Sequence, residues 1–61
     1  MNVKIARIKA GLTQEQLCKI VHISPKKLCK IENGNFETVT KRDMEKIAEA
    51  LKEDIVTLFF S

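Results

Sequence analysis

Sixty-one residues, 44% hydrophobic and 5% aromatic, allow a single domain over residues 1–61 with a small core; below about 70–80 residues one core rarely supplies more than about 3–5 kcal/mol. Eleven Lys and Arg against eight Asp and Glu leave a net charge of +3, which suits a polyanionic partner without requiring one. No apolar run approaches the roughly 20 residues of a membrane span and no signal-like stretch is present, so the expectation is a cytoplasmic chain without a membrane partner.

Residues 2–10 are expected to form the first helix, with Ile5, Ile8 and Leu12 on one stripe, Lys4, Arg7 and Lys9 off it, and Gly11 at its end. Thr13 is a good N-cap for the second helix, and Gln16 three residues later closes a capping box. Leu17, Ile20 and Val21 recur there at helical spacing until His22 and Ile23 break the run. Ser24 caps a third helix, and Pro25 sits in its first turn, where a missing N–H costs nothing. Leu28 and Ile31 point this helix inward, and Gly34 supplies the left-handed residue that ends it.

Residues 35–39 carry no helical period. Thr40 caps a fourth helix, with Asp43 in the first turn, where a negative charge complements the helix dipole. Met44, Ile47, Ala48 and Leu51 follow at i, i+3, i+4 and i+7. Asp54 caps a last short helix carrying Ile55, Leu58 and Phe59. The fold class is therefore all-α, a compact bundle of five short helices. Its residues 13–34, two short helices around a tight turn, match the helix-turn-helix unit whose second helix enters the DNA major groove.

Enzyme chemistry finds little to stand on. There is one histidine, no Tyr or Trp, no glycine-rich phosphate loop, and no nucleophile with a partner base. A chain this short also has little room for a water-excluding pocket, so neither catalysis nor a small-molecule ligand is expected. Cys18, His22 and Cys29 could in principle approach a metal, but their spacing matches no common zinc pattern. Position 18 calls for a small apolar side chain between two helices, and cysteine behaves as one. No cofactor, metal or disulfide is expected in a reducing compartment.

The set Leu12-Thr13-Gln14-Glu15 with Leu17, then Ile23-Ser24, Ile31-Glu32-Asn33-Gly34, Ile47-Ala48, Ala50-Leu51 and Leu58-Phe59 resembles the lambda-repressor-like helix-turn-helix regulators, also called the xenobiotic-response-element family. That resemblance implies base-reading positions at Pro25, Lys26, Lys27, Cys29 and Lys30. Lys26 and Lys30, four apart, share a face, and lysine can donate to guanine O6 and N7 or to phosphate. Pro25 and Cys29 are poor base readers, so DNA shape would carry part of the specificity. Gln14 matches a phosphate-contact position of the family. Asn33, Asn35, Lys41 and Arg42 are further phosphate candidates. Arg7 and Glu32 match two positions that often pair across helices, expected here as a two-bond fork. His22 stands where the family usually has glycine, and reads as a tolerated turn residue.

Leu58 and Phe59 match core positions of the family, whereas Val56 and Phe60, four apart on one face, do not. An exposed Val/Phe face is costly unless covered. Val56 and Phe60, with Phe36 as a further candidate, therefore point to a homodimer. The resulting expectation is a sequence-specific regulator of transcription, a repressor, bound to double-stranded DNA as a dimer on a pseudo-palindromic operator. Two alternatives stay open: a protein-interaction module on the same fold, and an antitoxin that combines both uses.

Overall fold

A computed structural model describes residues 2–60. The elements in chain order are α1 (Val3–Lys9), α2 (Gln14–Val21), α3 (Pro25–Glu32), α4 (Lys41–Leu51) and a π-helical turn, α5 (Val56–Phe60). Among the described residues there is no strand, and the five elements close into one globule 24 × 23 × 19 Å.

Each α-helix begins where a side chain supplies an acceptor to its first turn. Asn2 Oδ1 accepts from the Ile5 N–H at 2.8 Å, so Asn2 is the cap of α1 rather than its first residue. Ser24 Oγ accepts from Lys27 N–H at 3.1 Å, with Pro25 at the first position of α3. Both capping boxes close. Thr13 and Gln16 exchange bonds of 3.1 and 2.9 Å, and Thr40 and Asp43 two of 3.1 Å.

The four C-terminal ends also share one geometry. Gly11 (φ 76°), His22 (58°), Gly34 (85°) and Lys52 (56°) are all left-handed. The next N–H in each case reaches back one turn: Leu12 to Arg7 O, Ile23 to Cys18 O, Asn35 to Lys30 O and Glu53 to Ala48 O, at 2.9–3.2 Å. Glycine adopts this conformation freely, whereas His22 and Lys52 each carry a strain of about 1–2 kcal/mol.

Leu17, Leu28 and Ile47 are wholly buried, and Val3, Ala6, Cys18, Val21, Ile31, Ala48, Leu51, Leu58 and Phe59 complete the core. α2 packs against α3 and α4, while α1 packs against α3 and α5. The loop between α3 and α4 is drawn onto this core by Phe36, whose ring meets Phe59 edge-on at 5.3 Å and 71°. In α5 the consecutive residues Leu58 and Phe59 are both buried.

Two expected core stripes are corrected. Ile5 and Ile8 lie 53% and 58% exposed, and the inner face of α1 is formed by Val3 and Ala6. Leu12 follows the chain reversal at Gly11 and so does not continue the Ile5–Ile8 stripe in helical register. In α2, Ile20 is 52% exposed and Cys18 takes the inward place beside Leu17 and Val21. Ala6 and Cys18 are both small and both buried. Ala6→Leu is expected to destabilise the fold by about 1–3 kcal/mol through overpacking, and Ile8→Ser by no more than about 0.5 kcal/mol. Urea titration of both variants checks the register of α1, and the reverse order would contradict it.

Candidate nucleic-acid interface

α3 has two faces at helical spacing. Lys26, Cys29, Lys30 and Asn33 fall at i, i+3, i+4 and i+7, and all four are exposed, as is Pro25 before them. Leu28 and Ile31 occupy the opposite face and are buried. On the flanks of that inner face stand two charged residues, Lys27 and Glu32, one at each end of the helix. Both are engaged within the domain.

At the C-terminal end, Arg7 Nε donates to Glu32 Oε2 at 2.7 Å, with the two side chains only 11% and 4% exposed. The expected two-bond fork is not formed. Arg7 Nη1 instead donates to Leu12 O at 2.7 Å, tying the guanidinium to the turn after α1. The other carboxylate oxygen, Glu32 Oε1, accepts from Gln14 Nε2 at 2.9 Å. Three segments thus meet at one carboxylate: the end of α1, the start of α2 and the end of α3. Burial raises the Cys18 thiol above its ordinary value, and the negative charges of Glu32 and Glu15 add to the shift. Cys18 therefore stays a protonated packing residue at neutral pH.

At the N-terminal end, Lys27 Nζ donates to Asp43 Oδ2 at 2.7 Å. Of the expected base-reading residues, Lys27 is thus the one whose side chain is ion-paired within the domain, its ammonium bonded to α4. The same Asp43 oxygen accepts from Thr40 N–H at 3.1 Å. The hydrogen bond from Lys27, followed by those from the Thr40 backbone and side chain, outweighs burial and holds the Asp43 carboxyl below its usual range.

The remaining candidates gather around α3 through these two links. Gln14 comes to its C-terminal end, beside Asn33, the C-cap of α3. Asn33 Nδ2 lies 3.7 Å from Cys29 Sγ, and Asn35 Oδ1 accepts from Glu37 N–H at 3.1 Å. Lys41 and Arg42, exposed at the start of α4, are brought to its N-terminal end because Asp43, next in sequence, is bonded to Lys27. Cys18 and Cys29 are free thiols, one buried and one exposed, and His22 is exposed in its turn.

The Gln14–Glu32 and Lys27–Asp43 bonds were not anticipated from sequence. Their signal lay in the inner stripe itself: Lys27 is four residues before Ile31, and Glu32 four residues after Leu28.

The family model described as a helix-turn-helix domain matches residues 2–59. The chain belongs to that family, which is a DNA-binding one. No curated protein and no solved structure matches it. Among the described residues, no helix is long and apolar enough to cross a membrane.

The lowered Asp43 carboxyl has a pH consequence. A depressed folded-state pKa contributes stability that is present above the unfolded value, about 3.9, and lost as pH falls through the folded value. Asp43→Asn is therefore expected to be less stable than wild type near pH 6–7, by about 1 kcal/mol from the ion pair and the helix dipole. The difference should close as pH falls below about 4. Urea denaturation at a series of pH values checks this, and a gap that persists undiminished at low pH would contradict it.

Proposed function

We propose that this chain is a lambda-repressor-like regulator that binds double-stranded DNA sequence-specifically, with α3 as its reading helix, and represses transcription. The observation that carries the reading is the outer face of α3. Lys26, Cys29, Lys30 and Asn33 form one exposed stripe, while the other charged residues of the helix, Lys27 and Glu32, are bonded inward. The cations left on that face have no carboxylate partner among the ion pairs of the described residues. Lys41 and Arg42 flank one end and Gln14 the other, as backbone-positioning contacts on either side of a groove would require.

The reading includes a dimer. The longest extent of the domain is 24 Å, shorter than the roughly 34 Å between half-sites one turn apart. A pseudo-palindromic operator would therefore take two copies. Val56 and Phe60 are 57% and 66% exposed, and Ile5 and Ile8 are exposed on α1, the helix that packs against α5. The proposed two-fold face consists of Val56 and Phe60. Phe36 is half-buried with its ring against Phe59 of its own chain, which leaves it a minor part. The same apolar surface favours a second reading, a module or antitoxin that binds another protein through this fold. Salt-dependent retention on random duplex DNA separates the two, since a module of that kind would show it only weakly.

Lys26→Ala and Lys30→Ala are each expected to weaken operator binding by about 1–3 kcal/mol where the lysine contacts a base edge. Where it contacts phosphate alone, the loss should be uniform across sequences, with the salt slope reduced by about one. Selection of bound sequences from a random duplex pool, followed by titration at several salt concentrations, measures both effects. Unchanged affinity in both variants would remove α3 as the reading helix. For the dimer, sedimentation equilibrium should show wild type self-associating at tens of micromolar and Phe60→Ser shifted toward monomer. A wild type that stays monomeric there would remove this face.

A further inference from the structure

The carboxylate of Glu32 does more than close an ion pair. With Oε2 taken by Arg7, Oε1 is left to accept from Gln14 Nε2 at 2.9 Å. A carboxylate can only accept, so the nitrogen of the Gln14 amide, and not its oxygen, must face it. A free glutamine at an exposed position can present either atom to a ligand. Here the choice is made by a side chain that is 4% exposed and held from its other side.

The orientation has a consequence for an anion. A carboxamide nitrogen carries two N–H donors, and Glu32 occupies one. The second is directed away from Glu32, at the first position of α2, where Gln14 is exposed. Beside it, the Gln14 and Glu15 backbone N–H groups belong to the first turn and have no intrahelical acceptor. A lone carboxylate behind this site would repel phosphate, but the Arg7 guanidinium at 2.7 Å neutralises it. The neighbouring Glu15 carboxylate lies 3.6 Å from the Lys19 ammonium, one turn further along.

We propose that Glu32 is a positioning residue for DNA contact: it holds the Gln14 amide with one N–H outward, aimed at a backbone phosphate, and Arg7 keeps the holding group electrically neutral. This rests on the reading of the chain as a duplex-DNA binder. Glu32→Gln is the informative change, because it preserves size while offering one accepting oxygen to two donors. Arg7 and Gln14 then compete for it, and an N–H is turned toward the loser.

The test is a double-mutant cycle in affinity for a labelled mixed-sequence duplex, at a temperature where circular dichroism shows every variant folded. Gln14→Ala should weaken binding by about tenfold, as for loss of a hydrogen bond to a charged group. Glu32→Gln should also weaken binding, and the double variant should bind no worse than Gln14→Ala alone. Losses that multiply would overturn the proposal while leaving DNA binding intact. A wild type with no affinity for duplex would overturn the functional reading and this inference together. Should Glu32→Gln not fold, wild-type NMR decides: on adding duplex, one Gln14 Nε2 proton should shift while its Glu32-bonded partner keeps its position. Release of both protons from Glu32 would overturn the proposal.

Discussion

A carboxylate with 4% of its surface exposed must find donors inside the domain, and Glu32 is the point to which the rest of this structure answers. Its two oxygens take Arg7 and Gln14, and Arg7 in turn bonds the carbonyl of Leu12. A buried pair of this kind is a doubtful stabiliser in net terms, because desolvation offsets most of the attraction. Breaking it is another matter: an orphaned partner costs about 3–5 kcal/mol. A domain of this length has a total stability of only about 3–9 kcal/mol. The arrangement therefore specifies how the helices meet more than it adds to their stability. Among the described residues, no buried side-chain nitrogen or oxygen lacks a partner.

That specification matters because α3 is short. Eight residues, of which only Leu28 and Ile31 are buried, give an apolar seam too narrow to define the rotation of a helix about its own axis. Charged links at both ends supply what the seam lacks: Lys27 to Asp43 on α4, and Glu32 to Arg7 and Gln14 on α1 and α2. Rotation of α3 would break one or both. The outward stripe of Lys26, Cys29, Lys30 and Asn33 is thus presented at a set angle, and the helix starts carrying Gln14, Lys41 and Arg42 are fastened beside it. The side chains that fasten the helix and those of the outward stripe proposed for recognition are thus different residues of one short segment.

Much of this was legible in the chain. Caps and breaks could be read because each rests on local chemistry: Thr13 with Gln16, Ser24 with Pro25, Thr40 with Asp43, and glycine at 11 and 34. The stripe of α4 was long enough to be unambiguous. The inner face of α1 was not, since Val3 and Ala6 carry less apolar bulk than Ile5 and Ile8, and bulk alone does not say which face turns inward. Cys18 followed from the expectation of a small apolar side chain between two helices. At the interface, Lys26 and Lys30 could be separated from Leu28 and Ile31 by period alone. Lys27 could not, because a lysine flanking the inner stripe looks like any other until its carboxylate is found sixteen residues away. The Gln14–Glu32 bond was hidden for the same reason, its partners being eighteen residues apart.

Recognition is proposed on α3 with the starts of α2 and α4 beside it, and the exposed apolar residues of α1 and α5 lie outside that proposed surface. Backbone amide shift mapping by NMR, on addition of a mixed-sequence duplex at low salt, tests that division most directly. Perturbed amides are expected at Gln14 and Glu15, along Lys26–Asn35 and at Lys41 and Arg42, with those of Ile5, Ile8, Val56 and Phe60 unmoved by contact with DNA. Perturbation centred on α1 and α5, with α3 unaffected, would contradict it.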